Sequence, residues 1–304
     1  MAVTAGMVKE LREKTGAGMM DCKKALIEAD ANMDRAIDIL REKGLSQAAK
    51  KSDRIAAEGL VGMVIAEDGK HAAIAEVNSE TDFVAKNEDF QNFVANVTKV
   101  AMDKNPSDLS ELLSSEYETG TTIESKLTAM ISKIGENMNV RRFSSLSVET
   151  GRIVGYIHGA GKIGVLVKLE ANSDSDKLDD LGKDIAMQVA AMNPRYISRD
   201  DVDQDYIAHE KDILVQQALN EGKPQKIVEK MVEGRLQKQL QEVCLLEQTF
   251  VKDSDKTVKD IVNETAKALG TDIKVVSVER FEVGEGLEKK SENFADEVAK
   301  QLGN

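Results

Sequence analysis

An acid and an aromatic ring stand side by side in the run Glu80-Thr81-Asp82-Phe83-Val84-Ala85-Lys86-Asn87, at a predicted strand-to-helix junction. Together they suit action on a partner's site better than bond-making in their own. The plain alternative is that Thr81 caps a helix, Asp82 favours its positive end and Phe83 packs inward. Two details weigh against it. Lys86-Asn87-Glu88-Asp89 reads as a fresh helix start capped by Asn87, and Phe90, Phe93 and Val94 already supply an inward stripe, so Phe83 is spare. Met19-Met20 poses a similar choice. Of two adjacent residues at most one points squarely into a small helical core, and the other thioether suits an adaptable contact or is a loose surface methionine.

Covalent chemistry finds little support. His71, His158 and His209 are scattered and lack Cys or acidic partners at ligand spacing, so no metal site is expected. No nucleophile-elbow pattern occurs, and Glu88-Asp89 reads as a solvated helix start. Gly161-Lys162 has Tyr156 where a phosphate loop needs its first glycine and Ile163 where it needs Ser or Thr. Gly16-Ala17-Gly18 follows a helix, whereas a dinucleotide fingerprint follows a strand. Both glycine clusters are turns. The expectation is a binding protein, not an enzyme, with no cofactor.

Composition narrows the partners. The 304 residues are 31% charged and 41% hydrophobic, enough for two or three modules with cores. A net charge of -13 argues against direct nucleic-acid contact, which needs a concentrated basic face. Lys50-Lys51 with Arg54 is too short to be one. Cys22 and Cys244 cannot make a disulfide framework and sit among apolar neighbours, as buried thiols in a reducing compartment do. No apolar run approaches the ~20 residues that span a bilayer, and no signal region precedes the first helix. The expected location is cytoplasmic, with no membrane contact.

The elements that must position these residues read as an α+β protein. Residues 1–45 form three short helices: Met7, Val8 and Leu11 share a face, Met19, Cys22, Leu26 and Ala29 space the second, and Asn32 caps a third that stops at Lys43-Gly44. This three-helix module resembles the ubiquitin-associated fold. A linker is expected over 46–58. Over 59–142 a hairpin follows, Val61, Met63 and Ile65 turning at Glu67-Asp68-Gly69-Lys70 into Ala73, Ile74, Ala75 and Val77. A helix from Phe90 covers it. A related hairpin-plus-helix subdomain occupies 143–192 and 243–283, through Gly159-Ala160-Gly161-Lys162 and a helix with Leu178, Leu181, Ile185, Met187 and Val189. Into it 193–242 inserts an antiparallel helical hairpin, one helix carrying Val202, Tyr206 and Ile213 and the other Ile227, Met231, Leu236 and Leu240. Thr257 and Asp260 have capping-box spacing. Residues 284–304 would end in a docking helix with Phe294, Val298 and Leu302 on one stripe.

Many blocks in order carry a resemblance to the bacterial translation elongation factor Ts family. They are Leu11 to Leu26, Glu76-Val77-Asn78, Thr81 to Lys86, Lys133-Ile134-Gly135-Glu136-Asn137, His158-Gly159, Ile163 to Val167, Gly222-Lys223-Pro224, Lys230 to Arg235 and Arg280 to Gly286. The turn 159–162 is one residue longer than the family pattern, and 107–122 shows no family signature. The resemblance implies a guanine-nucleotide exchange factor for the GTPase elongation factor Tu. Thr81, Asp82, Phe83 and Val84 would disturb that partner's Mg²⁺ coordination. Leu11, Arg12, Gly16, Met19, Met20, His158 and Gly159 would bind it. The helical hairpin could also pair two copies of the chain. An alternative is a ubiquitin-associated-like adaptor or helical-hairpin scaffold without exchange activity.

Overall fold

A computed structural model describes residues 2–222 and 224–288, save the side chain of Lys226; the expected docking helix with Phe294, Val298 and Leu302 lies outside them. The chain is α+β and divides into two compact units, one of 1–64, 73–144 and the segment from 281, the other of 65–72 and 145–280.

The first unit begins with α1 (Ala5–Thr15), α2 (Met19–Glu28) and α3 (Met33–Ala49), which close over Leu11, Cys22, Ala25, Leu26 and Ala36. Asn32 caps α3 by accepting the Arg35 N–H, and Gly16 ends α1 in the left-handed region at φ 67°, as their residue types predict. Two details differ. Met19 lies outside the core, whose α2 face is held by Cys22, Ala25 and Leu26. The third helix does not stop at Gly44 but runs on to Ala49, into the segment expected as linker. Gly44 is buried there within a continuing helix, beside Thr128 and Ser132, and a Cβ would meet both at an ordinary contact distance of 3.9 Å.

Next come β1 (Glu58–Ile65), β2 (His71–Ser79), α4 (Asp82–Ala85), α5 (Glu88–Lys104), α6 (Leu109–Ser114), β3 (Glu116–Glu118), β4 (Thr121–Thr122), α7 (Ile123–Ile134) and β5 (Met138–Ser147). The main sheet runs β1-β2-β5, and α5 lays Phe90, Phe93, Val94, Val97 and Ala101 against Ala73 and Val77. The central position of β2 buries everything from Ala72 to Ser79, Glu76 included. The Glu76 carboxylate accepts from Asn78 Nδ2 (3.0 Å), Gly284 N (2.8 Å), Arg141 Nη1 (3.0 Å) and Arg142 Nε (2.7 Å). Burial alone pushes this acid up, but the Gly284 N–H, Asn78 and the two guanidiniums outweigh it and hold it below the ordinary carboxylate value. Gly284 reaches it only because it lacks a Cβ, which would lie 2.2 Å from the Ala57 carbonyl.

In the second unit β6 (Arg152–His158) pairs antiparallel with β7 (Ile163–Ala171), from Arg152↔Leu169 to His158↔Ile163. The remaining elements are α8 (Asp176–Met192), α9 (Gln204–Asn220), α10 (Gln225–Val243), β8 (Thr249–Phe250), β9 (Asp253–Thr257), α11 (Val258–Leu269) and β10 (Ile273–Glu282). The sheet order is β10-β7-β6. Leu178, Leu181, Ile185 and Val189 of α8 pack with Val258, Val262 and Val275. Met187 is only half-buried. Gln188 is enclosed instead, where its amide donates to Gln248 Oε1 and the Thr249 carbonyl and accepts the Val251 N–H. Thr257 and Asp260 form the expected capping box. In the helical hairpin the seam is Leu214, Ala218, Val228, Val232, Leu236 and Leu240; the expected Ile213 and Ile227 face solvent. Runs of adjacent apolar residues, Ile213-Leu214-Val215 and Ile227-Val228, left the helical phase undetermined by one position.

The two hairpins share contacts at equal spacing. Gly59 (φ 132°) and Gly151 (φ 120°) each leave room for a strand backbone, since a Cβ would lie 2.1 Å from Val77 O and 2.0 Å from Leu169 O. Gly62 on β1 admits Val94 of α5, where a Cβ would stand 2.7 Å from Val94 Cγ1. In the other unit the sizes are exchanged, with Val154 on β6 against Gly182 of α8 at 2.5 Å.

Candidate functional site

The run 79–87 does form a separate turn. Helix α4 has four residues, and α5 starts anew with Asn87 accepting the Phe90 N–H. Thr81, however, makes no side-chain capping bond. Its hydroxyl donates to Glu136 Oε1 (2.8 Å) and its N–H to Glu136 Oε2 (3.0 Å). Next to it, Glu80 Oε1 accepts the Asn137 N–H at 2.6 Å and faces Arg54 Nη1 at 3.4 Å. Ser79 donates to the Thr81 carbonyl at 2.9 Å, and the Asn137 amide donates to the Arg54 carbonyl at 2.8 Å. Val84 and Ala85 plug into the core beneath.

These anchors leave the Phe83 ring outside. Phe83 is 77% exposed. Asp82 is half-buried and ion-paired with Lys86 at 2.7 Å, and the Lys86 ammonium also lies 5.6 Å from the Phe83 ring centroid. The inward-packing alternative for Phe83 is thereby excluded. Val84, expected to act with it, faces its own core and serves as the turn's plug.

At the corner between α1 and α2, Met19 (58%) and Met20 (62%) are both exposed, although only one was expected to be spare. Gly18 supplies no side-chain cap, so both side chains project from a bare helix start. Arg12 is exposed in the last turn of α1, and the left-handed Gly16 makes the corner. Leu11 needs correction as a contact residue: it is fully enclosed by the helical module and shapes the corner from inside.

His158 and Gly159 lie where β6 turns into β7. His158 is exposed, its Nδ1 2.9 Å from the Tyr156 hydroxyl. Gly159, Ala160 and Gly161 follow with φ of 60°, 53° and 93°, a left-handed run in which Ala160 carries the strain of a Cβ. Both cysteines are buried, and burial pushes each thiol up from its ordinary value, which keeps them unreactive. Among the described residues no group of His, Cys, Asp and Glu could hold a metal, and no helix is long and apolar enough to cross a membrane.

Residue-type reasoning missed Glu80 and Glu136 as the supports of the turn. The only available signal was that Glu136-Asn137 belonged to a recognisable block with no role attached.

A family model described as Elongation factor TS matches residues 80–285. The chain is 61% identical over 300 residues to Elongation factor Ts of Clostridioides difficile (strain 630), covering 99% of each. It is 56% identical over 303 residues to the protein of the same name from Clostridium tetani, and 55% identical over 301 residues to that of Clostridium botulinum (strain Alaska E43), again covering 99% of each chain. On a family match across most of its length and relatives this similar from end to end, the chain belongs to the elongation factor Ts family.

Proposed function

We propose that this protein is a cytoplasmic guanine-nucleotide exchange factor for the GTPase elongation factor Tu, acting in translation elongation by binding alone. The observation that carries the reading is Phe83, 77% exposed on a turn anchored just before it through Glu80 and the Thr81 N–H. A GTPase holds GDP through Mg²⁺ and through backbone N–H groups cradling the phosphates, so a small displacement there weakens several contacts together. Phe83 is the wedge and Asp82 the competitor for polar groups around the ion, exchanging Lys86 for them as it docks. Thr81 and Val84 hold the element.

Magnitudes argue for further docking. Speeding GDP release ~10⁴-fold needs about 5.5 kcal/mol of differential binding. Burying one phenylalanine contributes ~1.5–3 kcal/mol. The remainder falls to Met19, Met20 and Arg12 on the ubiquitin-associated-like helical module and to the His158-Gly159 loop. The equal spacing of Gly59–Val77 and Gly151–Leu169 supports reading the two hairpin-plus-helix units as a duplication. By linkage, any factor by which the protein lowers nucleotide affinity is the factor by which nucleotide lowers its own, so GTP entry displaces it. The test is release of labelled GDP from elongation factor Tu with and without the protein. An unchanged rate at saturating protein overturns the reading.

A further inference from the structure

The strand-to-turn segment and the segment after α7 exchange carboxylates. Glu80 accepts the Asn137 N–H at 2.6 Å, while Glu136 accepts both the N–H and the hydroxyl of Thr81 at 3.0 and 2.8 Å. Each piece of chain thus offers an acid to the other's backbone, between neighbours in space that are 55 and 57 positions apart in sequence. Asn137 extends the tie to the Arg54 carbonyl at 2.8 Å. The three carboxylate bonds all land on residues 80 and 81, two positions before the exposed ring.

We propose that Glu136 is a positioning residue for nucleotide exchange: with Glu80 it forms a crossed carboxylate clamp that sets the direction in which Phe83 projects. The inference rests on the exchange reading and deepens it. It also reassigns Thr81, whose hydroxyl is committed to Glu136 and braces the turn from within the chain. Charge-assisted hydrogen bonds are shorter and about twice as strong as neutral ones, and here three of them converge on two residues. A bond network of this kind matters to function through placement, because about 1 Å of displacement at a reacting centre can cost about a hundredfold in rate.

The experiment is stopped-flow release of fluorescent GDP from elongation factor Tu, over a range of exchange-factor concentrations, with the full chain. Glu136→Gln should lower the maximal release rate about ten- to a hundredfold and move the half-saturating concentration less than about twofold, since the other docking surfaces set it. Thr81→Val should behave likewise, and Thr81→Ser should restore the wild-type rate. Glu136→Gln placed on Phe83→Ala should add nothing, because a clamp that acts through the ring has no work left once the ring is gone. Equal losses in both backgrounds, or a wild-type rate for Glu136→Gln, would overturn the proposal while leaving the exchange reading intact. Should the wild-type protein itself give no acceleration, the exchange reading falls instead. The clamp then stands or falls on amide hydrogen exchange: Glu136→Gln must expose the Thr81 amide while leaving the α5 amides protected.

Discussion

Both hairpins hand over to a 17-residue helix, α5 after β2 and α8 after β7, but by different routes. In the second unit residues 172–175 suffice, and Ser175 caps α8 directly. In the first the connection spans 80–87, and the surplus matches the four residues of α4, Asp82 to Ala85. The same scaffold therefore carries, in one unit only, a short inserted turn with an aromatic tip. The exchanged Gly62–Val94 and Val154–Gly182 contacts teach the complementary lesson. Strand and helix must approach closely in both units, but which partner gives up its side chain is free. Packing distance is alike in both, the side chain that yields is not, and the connection is where the two units differ most.

The largest expected effect concerns a strand position that the units do not share. Glu76 and Lys168 lie equally far along from Gly59 and Gly151, but only Glu76 is a buried acid. Glu76→Gln should cost about 3 kcal/mol in urea unfolding, because Arg141 loses its carboxylate partner and Arg142 keeps only Glu285, whereas Lys168→Gln should change little. Since the folded carboxyl titrates below its ordinary value, its stabilisation is complete above ~4.3, the unfolded value, and fades as pH falls through the folded one. The gap between wild type and Glu76→Gln should accordingly narrow as pH falls below ~4.3, the unfolded value, and go on closing toward the lower folded one; a gap independent of pH would contradict the charge-based account.

Next in size is the inserted turn itself. Asp82→Ala with Phe83→Ala should slow exchange about a hundredfold, ~2.7 kcal/mol, at unchanged melting temperature. A matching loss of thermal stability would mean that the ring serves the fold. Smaller again is the test of the exchanged contacts. Gly182→Ala should destabilise by about 2 kcal/mol through overpacking against Val154, and Val154→Ala should recover most of it; additive losses would show that the contact is not a matched pair. Smallest are the caps of the twin helices, Asn87→Ala and Ser175→Ala, each costing about 1 kcal/mol in chemical denaturation.

What could be read from residue order was whatever is local. Asn32, Asn87 and the Thr257/Asp260 pair announce their helix starts because a cap and its N–H lie within three residues. The separateness of the Phe83 turn followed from the same logic. Three features resisted. The phase of the helical hairpin hid behind adjacent apolar residues, where Leu214 and Val228 won over Ile213 and Ile227. Gly44 looked like a stop because glycine so often ends a helix, yet α3 runs through it to Ala49. Glu136 was invisible as a support for Thr81, since nothing within a few residues of either betrays a bond that only tertiary folding creates.

The carboxylates at 80 and 136 have one last consequence, for the speed of encounter. Ordering a free loop costs ~1–2 kcal/mol of conformational entropy per residue, a toll usually levied at the moment of binding. Here folding has already absorbed it, so the collision complex meets a finished tool. Association with a partner can then run at the pace set by diffusion and orientation, with no disorder-to-order step to slow it.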